Sequence, residues 1–70
     1  MAPLNQASDS AELSTVASQL DELVARIEAV GDRYRETPDS SISAALDSAE
    51  RSLNAARRAV RQALTALDGG

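Results

Sequence analysis

The sequence contains neither cysteine nor histidine, which excludes disulfide bridges, thiolate metal centres and every catalytic arrangement that rests on a histidine base or a cysteine nucleophile. A structural zinc site would need carboxylates alone. Tyr34 is the single aromatic residue, and tryptophan and phenylalanine are absent, so the core is thin and no row of stacking platforms exists for single-stranded nucleic acid. Lysine is also absent, and all seven basic residues are arginine. Together with abundant alanine, this points to a high-GC bacterial genome or a phage of such a host. The net charge is −4 and the pI about 4.5, a balance opposed to sequence-independent binding of polyanions and to anionic membranes. No apolar run approaches the roughly 18 to 20 residues that span a bilayer. The opening Met1-Ala2-Pro3-Leu4-Asn5 has neither the basic nor the apolar region of a secretory leader. A cytoplasmic protein is expected.

The seventy residues make one domain at most, of a size that buries too little surface to be comfortably stable without additional support. With disulfides and metals excluded, that support must come from helix packing or from oligomerisation. The hydrophobic fraction of 43% is distributed with helical periodicity. Leu13, Val16, Leu20, Leu23, Ile27, Val30 and Tyr34 follow one another at alternating intervals of three and four. A second stripe, Ile42, Leu46, Ala49, Leu53, Ala56, Val60, Ala63 and Leu67, alternates four and three. Each is the a/d seam of a heptad-patterned helix.

Boundary signals divide the chain in the same way. Asp9 and Glu12 have capping-box spacing, with Ser8 and Ser10 offering further cap oxygens. Thr37-Pro38-Asp39 reads as cap, N1 proline and first-turn acid of a second helix, and Asp68-Gly69-Gly70 offers a left-handed glycine to end it. The expected organisation is a disordered tail over 1–8, a first helix over about 9–36, a turn at 37–39, a second helix over about 38–67 and a short tail at 69–70. Gly31 is the weak point of the first helix, costing about 1 kcal/mol relative to alanine, but Tyr34 keeps the heptad beyond it.

If the chain reverses at Pro38, the stripes pair in register. Leu13 faces Ala63, Val16 faces Val60, Leu20 faces Ala56, Leu23 faces Leu53, Ile27 faces Ala49, Val30 faces Leu46 and Tyr34 faces Ile42. The expected fold is therefore all-α, an antiparallel two-helix hairpin that resembles the Ala-rich coiled coils. A single helix kinked at Pro38 is disfavoured, because an interior proline costs about 3 kcal/mol or more, although a domain-swapped dimer would keep the same contacts. Antiparallel folding also sets the acidic first half, with Asp9, Glu12, Asp21, Glu22 and Glu28, beside the arginines of the second, with Arg57 placed to reach Asp21. Glu22 with Arg26 and Asp47 with Arg51 have the spacing of helical ion pairs.

A lone hairpin leaves its seams open on one side. Ala17, Val24 and Gly31 at heptad position e, Ala45, Ala59 and Ala66 at position g, and Leu64 widen the apolar stripes. Of these, Ala17, Val24, Ala45, Ala59, Leu64 and Ala66 form a candidate oligomer interface. Homodimerisation into a four-helix bundle is the simplest outcome, and a heterologous helix in the same groove is the competing one. Arg51, Arg57, Arg58 and Arg61 form a candidate partner-binding cluster for another protein, nucleic acid being the less favoured target on an acidic chain.

Catalysis has little to stand on. No Gly-rich phosphate loop, EF-hand or carboxylate metal motif occurs, no cofactor is implied, and a hairpin of this size does not enclose a substrate pocket. The expectation is a small non-enzymatic protein–protein interaction module, an adaptor, regulator or assembly factor. The alternatives are a nucleic-acid-associated or transcription-regulating accessory, or a structural component of a larger, phage-type assembly. The helical hairpin resembles the secreted partners of type VII secretion, but their Trp-X-Gly turn has no counterpart in a chain without tryptophan.

Overall fold

A computed structural model describes residues 6–69, apart from the side chain of Ser40. Two α-helices, α1 (Gln6–Arg35) and α2 (Ser40–Gly69), are folded back on each other as a hairpin. Its overall dimensions are 55 × 22 × 14 Å, so the molecule is two helices wide and one helix thick. The expected all-α hairpin is present.

The two ends of the turn are built differently from the capping pattern expected. Thr37 does not cap α2 but closes α1, since its backbone N–H and its hydroxyl both donate to the carbonyl of Tyr34, at 3.1 and 2.7 Å. Those bonds satisfy a C-terminal carbonyl that would otherwise be orphaned. Pro38 then lies in the turn rather than at the first helical position, and Asp39 stands immediately before α2, where its carboxylate accepts from the Ser41 hydroxyl at 2.5 Å. The restriction that proline places on the residue before it keeps Thr37 out of a continuing helix. At the far ends, α1 already begins at Gln6, ahead of the Asp9–Glu12 capping box, so residues 6–8 are helical rather than part of a tail. Residues 1–5 and Gly70 lie outside the described residues. Gly69 is the last residue of α2 and does not adopt the left-handed conformation.

The helices meet along a seam turned from the expected one. On α1 the seam row is Ser10, Leu13, Ala17, Leu20, Val24, Ile27 and Gly31, and on α2 it is Ser43, Leu46, Glu50, Leu53, Arg57, Val60, Leu64 and Leu67, all buried or half-buried; Val16, Asp21 and Val30 on α1 and Ile42, Asp47, Ala49 and Asn54 on α2 flank these rows and are half-buried as well. Both rows alternate threes and fours, and each shares every second member with the stripe read from sequence. The other members are displaced by one residue. Ala17 and Val24, only 7% and 5% exposed, replace Val16 and Leu23 at the centre of the contact, and Leu23 is 40% exposed. The register moves with the rotation. Gly31 lies opposite Leu46, Asp21 meets Arg57 and Ser10 meets Asp68, which centres the reversal at Pro38–Asp39 rather than on Pro38.

Gly31 therefore sits inside the seam, and α1 continues through it to Arg35. A Cβ at this position would lie 3.9 Å from Cβ and Cδ1 of Leu46, an ordinary contact distance, and the residue has no positive φ. Alanine adds helix propensity without a clash. Gly31→Ala is expected to stabilise the hairpin by about 1 kcal/mol, read as a higher urea midpoint at unchanged m-value.

Candidate functional site

The rotation of the seam gives the hairpin two unlike faces. In an antiparallel pair, residues that follow a seam position on one helix lie on the same side as those that follow a seam position on the other. After Leu20 and Ile27 come Asp21 and Glu28; after Leu46, Leu53, Val60 and Leu67 come Asp47, Asn54, Arg61 and Asp68. This face is polar and clasped. Asp21 is held at 2.6 Å by Arg57 and at 3.1 Å by Arg61. Arg57 also donates to Asn54 at 2.7 Å. Towards the turn, Arg35 bridges Asp32 at 2.5 Å and Asp47 at 3.0 Å, and the hydrogen bond it donates to Asp47, then the charges of Asp32 and Asp47, hold its guanidinium above the ordinary value. At the open end the Ser10 hydroxyl donates to Asp68 at 3.0 Å.

The expected Asp21–Arg57 contact is thus present. Neither the Glu22–Arg26 nor the Asp47–Arg51 pair forms among the described residues, Asp47 being taken by Arg35 across the turn.

Two features of the seam itself cost stability. The Ser43 hydroxyl is buried with no hydrogen-bond partner among the described residues, and an orphaned hydroxyl costs about 1–3 kcal/mol. Ser43→Ala is expected to raise the melting temperature, since it removes the polar atom and leaves the helix contact intact. The second feature is a like-charge pair. Glu50 lies beside Glu28, and sharing a proton with it, reinforced by desolvation and by the charges of Glu28 and Asp47 and opposed by Arg35, pushes the Glu50 carboxyl above its ordinary value. A carboxyl whose folded pKa is raised binds its proton more tightly in the native state. Its contribution is present in acid, below the unfolded value, and is lost as pH rises through the folded one. Glu50→Gln should therefore raise the melting temperature near neutral pH, where the wild-type pair repels. The gain should shrink as pH falls through the raised Glu50 value, where the wild-type Glu50 carboxyl becomes protonated.

The opposite face is apolar and open. Val16, Leu23 and Val30 precede the seam residues Ala17, Val24 and Gly31; Ile42, Ala49, Ala56 and Ala63 precede Ser43, Glu50, Arg57 and Leu64. Beyond them, at the α2 edge, come Ala45, Ser52, Ala59 and Ala66, all exposed. A groove of about 270 Å³ is cut into this face, lined by Leu23, Ile27, Val30 and Leu46 with Arg26 at its rim. Tyr34, assigned to the seam by periodicity, continues the Leu13, Leu20 and Ile27 row past Gly31 but is 37% exposed at the turn end.

The residues singled out from sequence divide between these surroundings. Ala17 and Val24 are buried between α1 and α2, and Leu64 is half-buried in the same seam, whereas Ala45, Ala59 and Ala66 are exposed along the open face. Among the arginines, Arg57 and Arg61 are engaged by Asp21, while Arg51 and Arg58 lie exposed on the outer flank of α2. The residues that sequence reasoning placed elsewhere are Leu23, Val30 and Tyr34. Their apolar character was visible, but periodicity assigned them to the hairpin seam.

Among the described residues, no three acidic side chains gather to hold a metal ion and no helix is long and apolar enough to cross a membrane. In comparisons with known proteins, the chain matches no family model, no curated protein and no solved structure.

Proposed function

We propose that this protein is a small, non-enzymatic protein–protein interaction module, an adaptor, regulator or assembly factor working in the cytoplasm, whose binding surface is the open apolar face. The observation that carries this reading is the division of the apolar residues. Leu23, which an isolated hairpin would gain by burying, stands 40% exposed between Val16 and Val30 on one side, while charged pairs close the other. Contiguous exposed apolar surface on a small domain is a feature of binding sites rather than of inert surface. The occupant such a groove suits is a helix whose side chains enter between the two rows, in the manner of coiled-coil packing.

Catalysis is not part of the proposal, because the groove is shallow and carries a single ionisable side chain, Arg26, at its edge. Nor do the arginines favour a nucleic-acid partner. With Arg57 and Arg61 both engaged by the Asp21 carboxylate, the outer flank of α2 presents only Arg51 and Arg58 as exposed arginines without an ion pair among the described residues, on a chain of net charge −4, too little for a phosphate-tracking surface.

The test is capture from the native host with tagged wild-type, Leu23→Asp and Arg58→Glu proteins, each first shown to be helical. A stoichiometric protein held by the wild type and by Arg58→Glu but lost with Leu23→Asp is the expected result. Loss with Arg58→Glu alone would move the binding surface to the arginine flank and sink the proposal.

A further inference from the structure

We propose that the open apolar face is covered by a second copy of this chain, in a four-helix bundle whose two-fold axis runs parallel to the helices, so that α1 of each copy lies against α2 of the other. This deepens the reading of that face as a protein-binding surface and rests on it.

The direction in which the apolar stripes point carries the inference. In a two-stranded pair each a/d stripe faces its neighbour, whereas in a square bundle of four it faces the bundle centre, about 45° away from either neighbour. On α1 the stripe of Leu13, Val16, Leu20, Leu23, Ile27 and Val30 shares only Leu13, Leu20 and Ile27 with the seam. A displacement of half a stripe is one heptad position in angle, roughly 50°. The α2 stripe is displaced by the same step and, in the antiparallel geometry, to the same side. The hairpin thus has the form of half a square bundle, and an identical hairpin supplies the two further stripes the centre requires.

Size and shape agree. A face measuring 55 by 22 Å offers a footprint on the order of 1,000 Å², against the roughly 800 Å² per partner of a standard stable interface. The two rows of the face are unequal, with Val16, Leu23 and Val30 on α1 and, after Ile42 at the turn end, Ala49, Ala56 and Ala63 on α2. Stacking α1 on α1 and α2 on α2 would hold one helix pair wide and let the other close up. Stacking α1 on α2 sets large residues over small ones in both contacts and gives equal spacing throughout.

The arrangement brings together two exposed edge residues, Gln19 of one copy and Ala59 of the other, which lie on opposite edges of a single hairpin. Gln19→Cys and Ala59→Cys proteins are prepared separately, and each is oxidised alone and as an equimolar mixture. The expected result is a disulfide-linked dimer in the mixture and none in either protein alone, with wild type eluting at twice the 7.3 kDa chain mass by light scattering. Cross-linking of either single variant to the level of the mixture would overturn the arrangement. A wild-type mass of one chain, without cross-linking in the mixture, would overturn the second copy as occupant. In that event, capture of a host protein that Leu23→Asp abolishes would leave the interaction-module reading standing, and its absence would remove both.

Discussion

Val24→Asp is expected to unfold the hairpin, while Leu23→Asp, one residue away, is not. Val24 is 5% exposed at the centre of the seam, where a carboxylate would be desolvated, and Arg57, the cation of the seam row, is already held by Asp21. The loss is of the order of 3 kcal/mol or more, comparable to the whole stability a chain of this size commands. The helical circular dichroism of Val24→Asp should collapse at every protein concentration. Leu23 is 40% exposed on the open face. Its replacement by aspartate leaves the α1–α2 contact in place and, in the arrangement proposed above, removes only contacts between copies. At concentrations low enough for the wild type to be monomeric, Leu23→Asp should unfold within about 1 kcal/mol of it. Equal sensitivity of the two sites under those conditions would contradict the observed rotation of the helices, and greater sensitivity at Leu23 would restore the seam read from periodicity.

The second large effect is expected at Asp21. Its carboxylate receives both Arg57 and Arg61, and Arg57 is the more costly to leave alone. The Arg57 side chain is 29% exposed and its Nε, buried, already lacks a partner among the described residues. Asp21→Asn removes the charge that offsets this guanidinium and should destabilise by about 1–2 kcal/mol, below the 3–5 kcal/mol of a fully buried pair because water reaches both groups. Arg57→Met should cost less than Asp21→Asn, since methionine keeps the apolar stem and removes the buried cation. The double variant should be no worse than Asp21→Asn alone, which a double-mutant cycle in urea measures directly. Strict additivity of the two losses would show that the contact carries no coupling.

Much of this architecture is legible in the residues. The alternation of threes and fours over Leu13–Val30 and over Leu46–Leu67 specifies two amphipathic helices, and Pro38 between them specifies where they part. The Asp21–Arg57 contact follows from the charge asymmetry of the two halves once the chain reverses. The local chemistry of the turn was less legible. Thr37 can cap the helix before it or the helix after it, and the spacing of Thr37-Pro38-Asp39 is compatible with either. Periodicity carries α1 through Gly31 because Tyr34 keeps the heptad, and α1 does continue to Arg35; what periodicity does not show is that Gly31 itself lies against Leu46 while Tyr34 stays exposed at the turn.

The candidate surface was legible in composition and not in position. Ala45, Ala59 and Ala66 were identified from sequence as residues beyond the seam and lie on the open face, but Ala17 and Val24, chosen by the same rule on α1, are inside the seam. A heptad stripe three residues wide, here d, a and e on α1, can place either of its two halves against a neighbour. The sequence by itself determined two helices, one reversal and a shared antiparallel order, because those depend on periodicity and on a proline, which act locally along the chain. Which half of each stripe faces the other helix was decided only in the tertiary structure. That choice sums contacts between residues far apart in the chain, such as Gly31 admitting Leu46, Asp21 between Arg57 and Arg61, and Arg35 on Asp47, and no single helix contains that sum.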